Sequence, residues 1–179
     1  MNPSIKGKRV ALLVTDGFEQ VELTGPRQAL EQAGATVHIL APTAGTVTGW
    51  HHTTPADRFR VDRTLDSVRI DDYDALVLPG GVVNADTLRT DPLAQELVRD
   101  AARADKPIAV ICHGAWLLAS ADLVKGKILT SWPSLTDDLR NAGAHWVDQE
   151  VVVDGRLISS RKPDDIPAFN QRLLEALAA

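Results

Sequence analysis

Short apolar runs alternate with stretches of helical spacing along this chain, and that alternation limits the fold more than any other feature. Strands that are apolar on both faces belong in a mostly parallel sheet with helices packed on both sides. We therefore expect an α/β three-layer sandwich. The apolar runs are residues 9–14, 36–41, 75–79 and 107–111, and the helical stretches are 22–33, 92–104, 113–121 and 165–178.

Other segments predict β-structure of a less regular kind. Residues 43–63 are rich in Gly, Thr and His with β-branched pieces, which indicates hairpins or irregular strands. His51-His52 lies in this segment, and we interpret the pair as part of a solvated hairpin and not as a metal site. Asp154-Gly155 predicts a hairpin turn. The remaining strands are expected within residues 128–131, 145–148 and 150–160.

Composition narrows the class of protein. A length of 179 residues with 44% hydrophobic residues predicts one domain over residues 1–179. A net charge of -5 without a basic block argues against nucleic-acid partners, and no apolar run is long enough for a membrane span. The polar N-terminal segment 1–9 does not resemble a secretory signal. With one cysteine there is no internal disulfide, so we expect a cytoplasmic protein without metal or cofactor.

Cys112 is the strongest candidate for chemistry. It stands between the strand at 107–111 and the helix that begins at His113, with no loop residues between them. Such a strand-to-helix elbow strains the backbone and projects the side chain over the edge of the sheet. The adjoining helix N-terminus stabilises a thiolate. The alternative is an inert buried cysteine.

The neighbours of Cys112 have two interpretations each. His113 is either a general base or a residue that only opens the helix. Gly80-Gly81 and the N–H groups around Cys112 and His113 form either an oxyanion hole or an ordinary turn.

We assign Glu22 to the first turn of a helix, where an acid favours the macrodipole. Trp132 is expected to line a pocket or a subunit contact.

The chain resembles the PfpI-type intracellular protease branch of the ThiJ/PfpI superfamily. The resemblance extends from about Arg9 to the last helix. It rests on the stretches FEQVEL, ALVLPGG, AVICHGAWLLASADLVKGK, TSWPSLTDDLRNAG and WVDQEVVVDGRLISSRKPDDIPAF. It implies a flavodoxin-like sandwich with a nucleophile elbow at Cys112 and His113 as its partner. It also implies that Glu19 is the acid that hydrogen-bonds the cysteine.

The same resemblance implies an oligomer. Asp86 is similar to a family acid that reaches the histidine of a neighbouring subunit, which implies at least a homodimer, and members of this branch also form hexamers. The chain departs from the family at Ala115, where proline is usual, and at Trp132, where tyrosine is usual. The loop after Gly81 is also one residue longer than the common form.

Two functions follow as hypotheses. The first is a cysteine-dependent hydrolase, either a protease or a deglycase or glyoxalase-like enzyme that acts on small carbonyl or peptide substrates, in a stress response. The second is a redox-sensing or chaperone-like stress protein whose Cys112 is oxidised instead of being catalytic.

Overall fold

A seven-stranded sheet forms the middle layer of the computed structural model, which describes residues 4–179. Residues 1–3 of the polar N-terminal segment, for which we predicted no signal, lie outside the described residues. The strands are β1 (Arg9–Leu13), β2 (Phe18–Glu19), β3 (Thr36–Ala41), β4 (Thr46–His51), β5 (Thr54–Arg60), β6 (Arg63–Thr64), β7 (Ala75–Leu78), β8 (Ile108–Ile111), β9 (Ile128–Leu129), β10 (His145–Trp146), β11 (Val152–Asp154) and β12 (Leu157–Ser160). The helices are α1 (Gln20–Gln32), α2 (Val82–Leu88), α3 (Pro92–Arg103), α4 (Ala115–Ser120), α5 (Thr136–Asn141) and α6 (Ile166–Ala178).

The strand order of the main sheet is β11-β12-β8-β7-β1-β3-β6. Every pair is parallel except the edge pair of β11 and β12. After β1 the chain moves to β3 on one side and then returns to β7 on the other side. Loops that diverge in this way leave a crevice at the carboxyl ends of the strands, and such crevices bind ligands.

Side chains of the sheet alternate between two apolar layers. In β1, Ala11 and Leu13 pack into the layer that contains α3 and α4, whereas Val10 and Leu12 pack into the layer that contains α1 and α6. Alternation of this kind follows from the two-residue repeat of a strand. The predicted α/β sandwich with a mostly parallel sheet and helices on both faces is therefore confirmed.

The structure also differs from the sequence predictions. Residues 79–86 were expected to form a loop, but α2 begins at Val82, directly after Gly81. The short helix α5 was not predicted. The hairpin expected within residues 43–63 is present as the antiparallel pair of β4 and β5, and β2 adds a parallel strand to it. Within residues 4–179, no helix has the length and apolarity needed to cross a bilayer.

Candidate active site

Cys112 follows β8 directly and has a backbone φ of 61°. Non-glycine residues seldom adopt this left-handed region, and strain of this kind concentrates at functional sites. Residues Cys112–Gly114 form one 3-10 turn, and α4 continues from it. The predicted strand-to-helix elbow is therefore present, and the cysteine side chain is only 7% exposed.

Polar groups from several segments surround the sulfur of Cys112. The Nδ1 atom of His113 lies 3.2 Å from Sγ. The backbone N–H groups of Gly81 and His113 lie beside the sulfur and lower the pKa of the thiol. Burial acts in the opposite direction and is the largest effect, and a negative charge on Glu22 would add to it, so the pKa of Cys112 is raised overall. In the structure, burial therefore opposes the thiolate stabilisation that the helix N-terminus was expected to give.

Glu22 is the carboxyl group next to the cysteine. It is fully buried, and its Oε1 accepts a hydrogen bond of 2.9 Å from the backbone N–H of Gly80. Its Oε2 is buried on the side of Cys112 and has no well-formed hydrogen bond among the described residues. Burial raises the pKa of Glu22 to about 8, although the Gly80 N–H opposes this. At neutral pH the group is therefore a neutral acid that holds a proton beside the sulfur.

The prediction that Glu19 hydrogen-bonds the cysteine is wrong. Glu19 pairs with Trp50 between β2 and β4, and its Oε2 accepts a hydrogen bond of 3.0 Å from the backbone N–H of His52. Glu22 lies three residues later, on the buried side of α1. The sequence carried a signal for this arrangement, because Glu22 precedes the buried residues Pro26 and Leu30 by four and eight positions. That spacing places a carboxyl group on an apolar helix stripe.

Gly80 closes the space between Glu22 and Cys112. A Cβ atom at this position would lie 2.6 Å from Oε1 of Glu22 and 2.6 Å from Cβ of Cys112. Only glycine permits this approach. The N–H of Gly80 was expected to be an oxyanion donor, but it is bound to Glu22. The donors that face the sulfur are the N–H groups of Gly81 and His113.

A pocket of about 270 Å³ opens above the cysteine. Cys112, His113, Glu19 and Trp132 all line it, as the sequence predicted for Trp132. The Trp132 ring stacks on His113 with centroids 5.9 Å apart, and the edge of Trp116 contacts the same imidazole. Burial lowers the pKa of His113, so the imidazole is neutral at physiological pH.

Asp86 does not line this pocket. It is exposed on α2, between the buried residues Ala85 and Leu88. Any contact between Asp86 and a histidine ring would have to come from a second chain, so this assignment stays a prediction. Among residues 4–179, no three His, Cys, Asp or Glu side chains gather closely enough to hold a metal ion.

Sequence reasoning missed Asn84, because it placed this residue in a loop. Asn84 is fully buried on α2. Its side chain accepts a hydrogen bond from the backbone N–H of Thr15 and donates to the carbonyl oxygens of Pro79 and Gly80. It therefore joins the loop after β1 to the loop after β7.

Together these features define an α/β-sandwich protein with a buried cysteine on a strand-to-helix elbow. Residues 8–176 match the model of the DJ-1/PfpI family. The chain belongs to this family.

Known relatives agree with that assignment. The chain is 42% identical over 171 residues to YraA of Bacillus subtilis, which is named as a candidate cysteine protease. That alignment covers 95% of this chain and 98% of YraA. It is also 42% identical over 174 residues to protein/nucleic acid deglycase 2 of Escherichia coli, covering 96% and 99%. The crystal structure of Drosophila melanogaster DJ-1beta superposes with a TM-score of 0.87 at 31% identity, covering 96% of this chain and 90% of that one.

The raised pKa of Glu22 predicts how stability depends on pH. Unfolded Glu22 releases its proton near pH 4.5, whereas the folded protein keeps it until about pH 8. The free energy of unfolding therefore falls as pH rises between these values, by about 1.4 kcal/mol for each unit of pKa difference. The variant Glu22→Gln has no such proton and should lose less stability in this range.

Urea unfolding at about pH 5 and pH 8 measures this difference. Glu96→Gln, which neutralises an exposed carboxylate on α3, is the matched control and should behave as the wild type does. An equal loss of stability in the wild type and in Glu22→Gln would show that Glu22 is ionised throughout.

Proposed function

We propose that this protein is a cysteine-dependent hydrolase of the PfpI type, in which Cys112 attacks the carbonyl carbon of its substrate. The observation that carries the proposal is the arrangement at Sγ. A strained elbow presents the sulfur at the base of a pocket, with His113 Nδ1 at 3.2 Å and the neutral acid Glu22 beneath it. A nucleophile, a base and a proton donor are the groups that this chemistry needs.

The residues would act in sequence. Sγ forms a bond to the carbonyl carbon while the thiol proton passes to Nδ1 of neutral His113. The N–H groups of Gly81 and His113 lie beside the sulfur, where the negative oxygen develops. For a peptide carbonyl, protonated His113 then returns the proton to the leaving amine, and water releases the acyl product and restores the thiol. For an α-oxoaldehyde adduct, Sγ bonds to the carbinol carbon as the protonated amine leaves, and hydrogen moves from that carbon to the neighbouring carbonyl carbon to give an α-hydroxy thioester. Water then releases the α-hydroxy acid and restores the thiol. Because the thiol begins protonated, its ionisation is coupled to substrate binding.

The size of the pocket favours one substrate class within this proposal. A volume of about 270 Å³ lies just below the usual range for small-molecule sites, and Trp132 is part of the lining. Such a pocket accepts a small carbonyl adduct more readily than a folded polypeptide. Relatives named as deglycases support the same choice. We therefore favour α-oxoaldehyde adducts over peptide bonds as the substrate.

Assembly is part of the proposal. Val82 and Val83 are about half exposed at the start of α2, and Trp132 is 37% exposed at the pocket. Exposed apolar residues that adjoin one another on a surface favour contact with another chain. A homo-oligomer that covers this surface would bring Asp86 of one chain towards the pocket of the next.

Substitution of Cys112 tests the proposal directly. Cys112→Ala should reduce consumption of methylglyoxal and of methylglyoxal-treated N-acetylated amino acids to the uncatalysed rate, because the nucleophile is lost. His113→Gln should lower turnover roughly a hundred- to ten-thousand-fold, the usual contribution of a general base. Product formation is followed by chromatography, beside a panel of fluorogenic peptides.

The outcomes separate the candidate functions. Cysteine-dependent turnover of adducts alone supports a deglycase, and cysteine-dependent cleavage of peptides alone supports a peptidase. Undiminished turnover by Cys112→Ala would overturn the proposal. If the wild type turns over neither substrate but forms a sulfenate with mild peroxide, the redox hypothesis replaces it.

A further inference from the structure

The side-chain amide of Asn84 makes three hydrogen bonds to the backbone around the active site. Its Oδ1 accepts from the N–H of Thr15 at 2.8 Å, and its Nδ2 donates to the carbonyl oxygens of Pro79 at 3.2 Å and Gly80 at 3.0 Å. One donor and two acceptors surround the amide, so only one orientation of Asn84 satisfies all three. The side chain is fully buried, and each of these bonds is protected from water.

Asn84 binds the carbonyl groups of two peptide units, and the N–H groups of the same two units lie next to Glu22 and Cys112. The carbonyl of Pro79 and the N–H of Gly80 are in one planar unit, and the carbonyl of Gly80 and the N–H of Gly81 are in the next. The N–H of Gly80 donates to Glu22, and the N–H of Gly81 lies beside the sulfur of Cys112, where it lowers the pKa of the thiol. Because a trans peptide points its C=O and N–H in opposite directions, fixing each oxygen also aims each N–H.

We propose that Asn84 is a positioning residue, which aims the N–H of Gly81 at the sulfur of Cys112 and the N–H of Gly80 at Glu22. Glycine residues rotate freely about their backbone bonds, so the Gly80-Gly81 loop has little stiffness of its own. Asn84 constrains both carbonyl groups from α2, whereas the N–H of Glu19 reaches only that of Gly80, at a longer 3.3 Å. The consequence is that the thiolate keeps a donor that it would otherwise lose.

The reactivity of Cys112 measures this role without any substrate. Because the chain has one cysteine, its alkylation by iodoacetamide reports the thiolate at this site alone. Loss of one N–H donor to a charged sulfur raises the thiol pKa by about one unit. Asn84→Ala should therefore be alkylated about tenfold more slowly at pH 8, with a rate profile displaced to higher pH.

Matched variants separate positioning from simple support of the fold. Thr87→Ala, which changes an exposed residue of the same helix, should be alkylated at the wild-type rate. Asn84→Ser keeps one hydrogen-bond donor and should be alkylated at an intermediate rate. It takes the place of Asn84→Ala in the experiment if Asn84→Ala does not fold. Lower thermal stability with an unchanged alkylation profile in the folded Asn84 variants would overturn the proposal.

Glu19 carries a second inference. The sequence predicted that this residue lies next to Cys112, but the structure places Glu22 there. Glu19 is half-buried and lines the same pocket as Cys112. The N–H of His52 holds its Oε2 at 3.0 Å, which fixes the carboxyl group at the rim. No lysine or arginine lines the pocket among the described residues. The lining therefore holds two carboxyl groups and two histidines but no permanently positive side chain among the described residues.

The geometry points to Glu19 as a subsite for a positively charged group of the substrate, a guanidinium or an ammonium next to the carbonyl adduct. This inference rests on the proposed function, in which Cys112 attacks that adduct. The exposed indole of Trp132 at the same pocket adds to the preference, because indole faces attract cations. Adducts of arginine and lysine side chains carry such a group, whereas α-keto acids are disfavoured by their negative charge.

Two thiol reagents that differ in charge test the subsite independently of turnover. The cationic 2-aminoethyl and the anionic 2-sulfonatoethyl methanethiosulfonate both form a mixed disulfide with Cys112 and release methanesulfinate. The wild type should favour the cation, and Glu19→Gln should lower the ratio of the two rates about fivefold, as expected for one nearby charge. Asp57→Asn removes a charge from the exposed hairpin outside the pocket and should change the ratio little.

Equal rate ratios in the wild type and Glu19→Gln would overturn the subsite. With methylglyoxal-treated N-acetylarginine and N-acetylcysteine as paired substrates, Glu19→Gln should selectively lose the arginine adduct. If no adduct is turned over by the wild type, the proposed function fails, while the reagent ratio still decides whether the pocket selects cations.

Discussion

A buried carboxyl group beside a buried thiol is the constraint on which the rest of this site depends. Glu22 and Cys112 are neighbours and both are removed from water, so negative charges on the two side chains would repel each other strongly. The pair therefore keeps protons that two exposed groups would release. Gly80 follows from this requirement, because its N–H satisfies one oxygen of Glu22 and any side chain there would collide with both partners.

The fold brings these groups together from three separate segments. The end of β8 supplies Cys112 in a left-handed conformation, α1 supplies Glu22, and the turn after β7 supplies the backbone donors. Each segment begins at the carboxyl edge of the parallel sheet, where the strand order leaves a crevice. In the proposed reaction, chemistry begins when a substrate carbonyl binds at the sulfur and His113 takes the thiol proton.

Much of this arrangement was predictable from the sequence, and the exceptions have a physical reason. Apolar periodicity indicated the sheet, and the absence of loop residues before Cys112 indicated the elbow. The choice between Glu19 and Glu22 was wrong because a helix that begins at Gln20 turns its residues by about 100° each. The identity of the buried acid therefore depends on where the helix begins, and helix boundaries are poorly defined by sequence patterns.

Asn84 and the N–H of Gly80 show a second reason why part of the site could not be predicted from the sequence. The residue before α2 is Gly81, which has no side chain to cap the helix, so the sequence contained no start signal for α2. Hydrogen bonds between distant segments, such as Thr15 to Asn84, leave no periodic trace. Only the assembled fold shows which backbone groups are already occupied and which still face the sulfur.

The most direct test of this account is the protonation state of Glu22. Infrared spectra of protein labelled with ¹³C-glutamate, with the spectrum of Glu22→Gln subtracted, isolate the carbonyl stretch of this one side chain. We expect the band of a neutral carboxyl group at about pH 6. The band of a carboxylate should replace it as the pH passes about 8. A carboxylate band already present at about pH 6 would contradict the account.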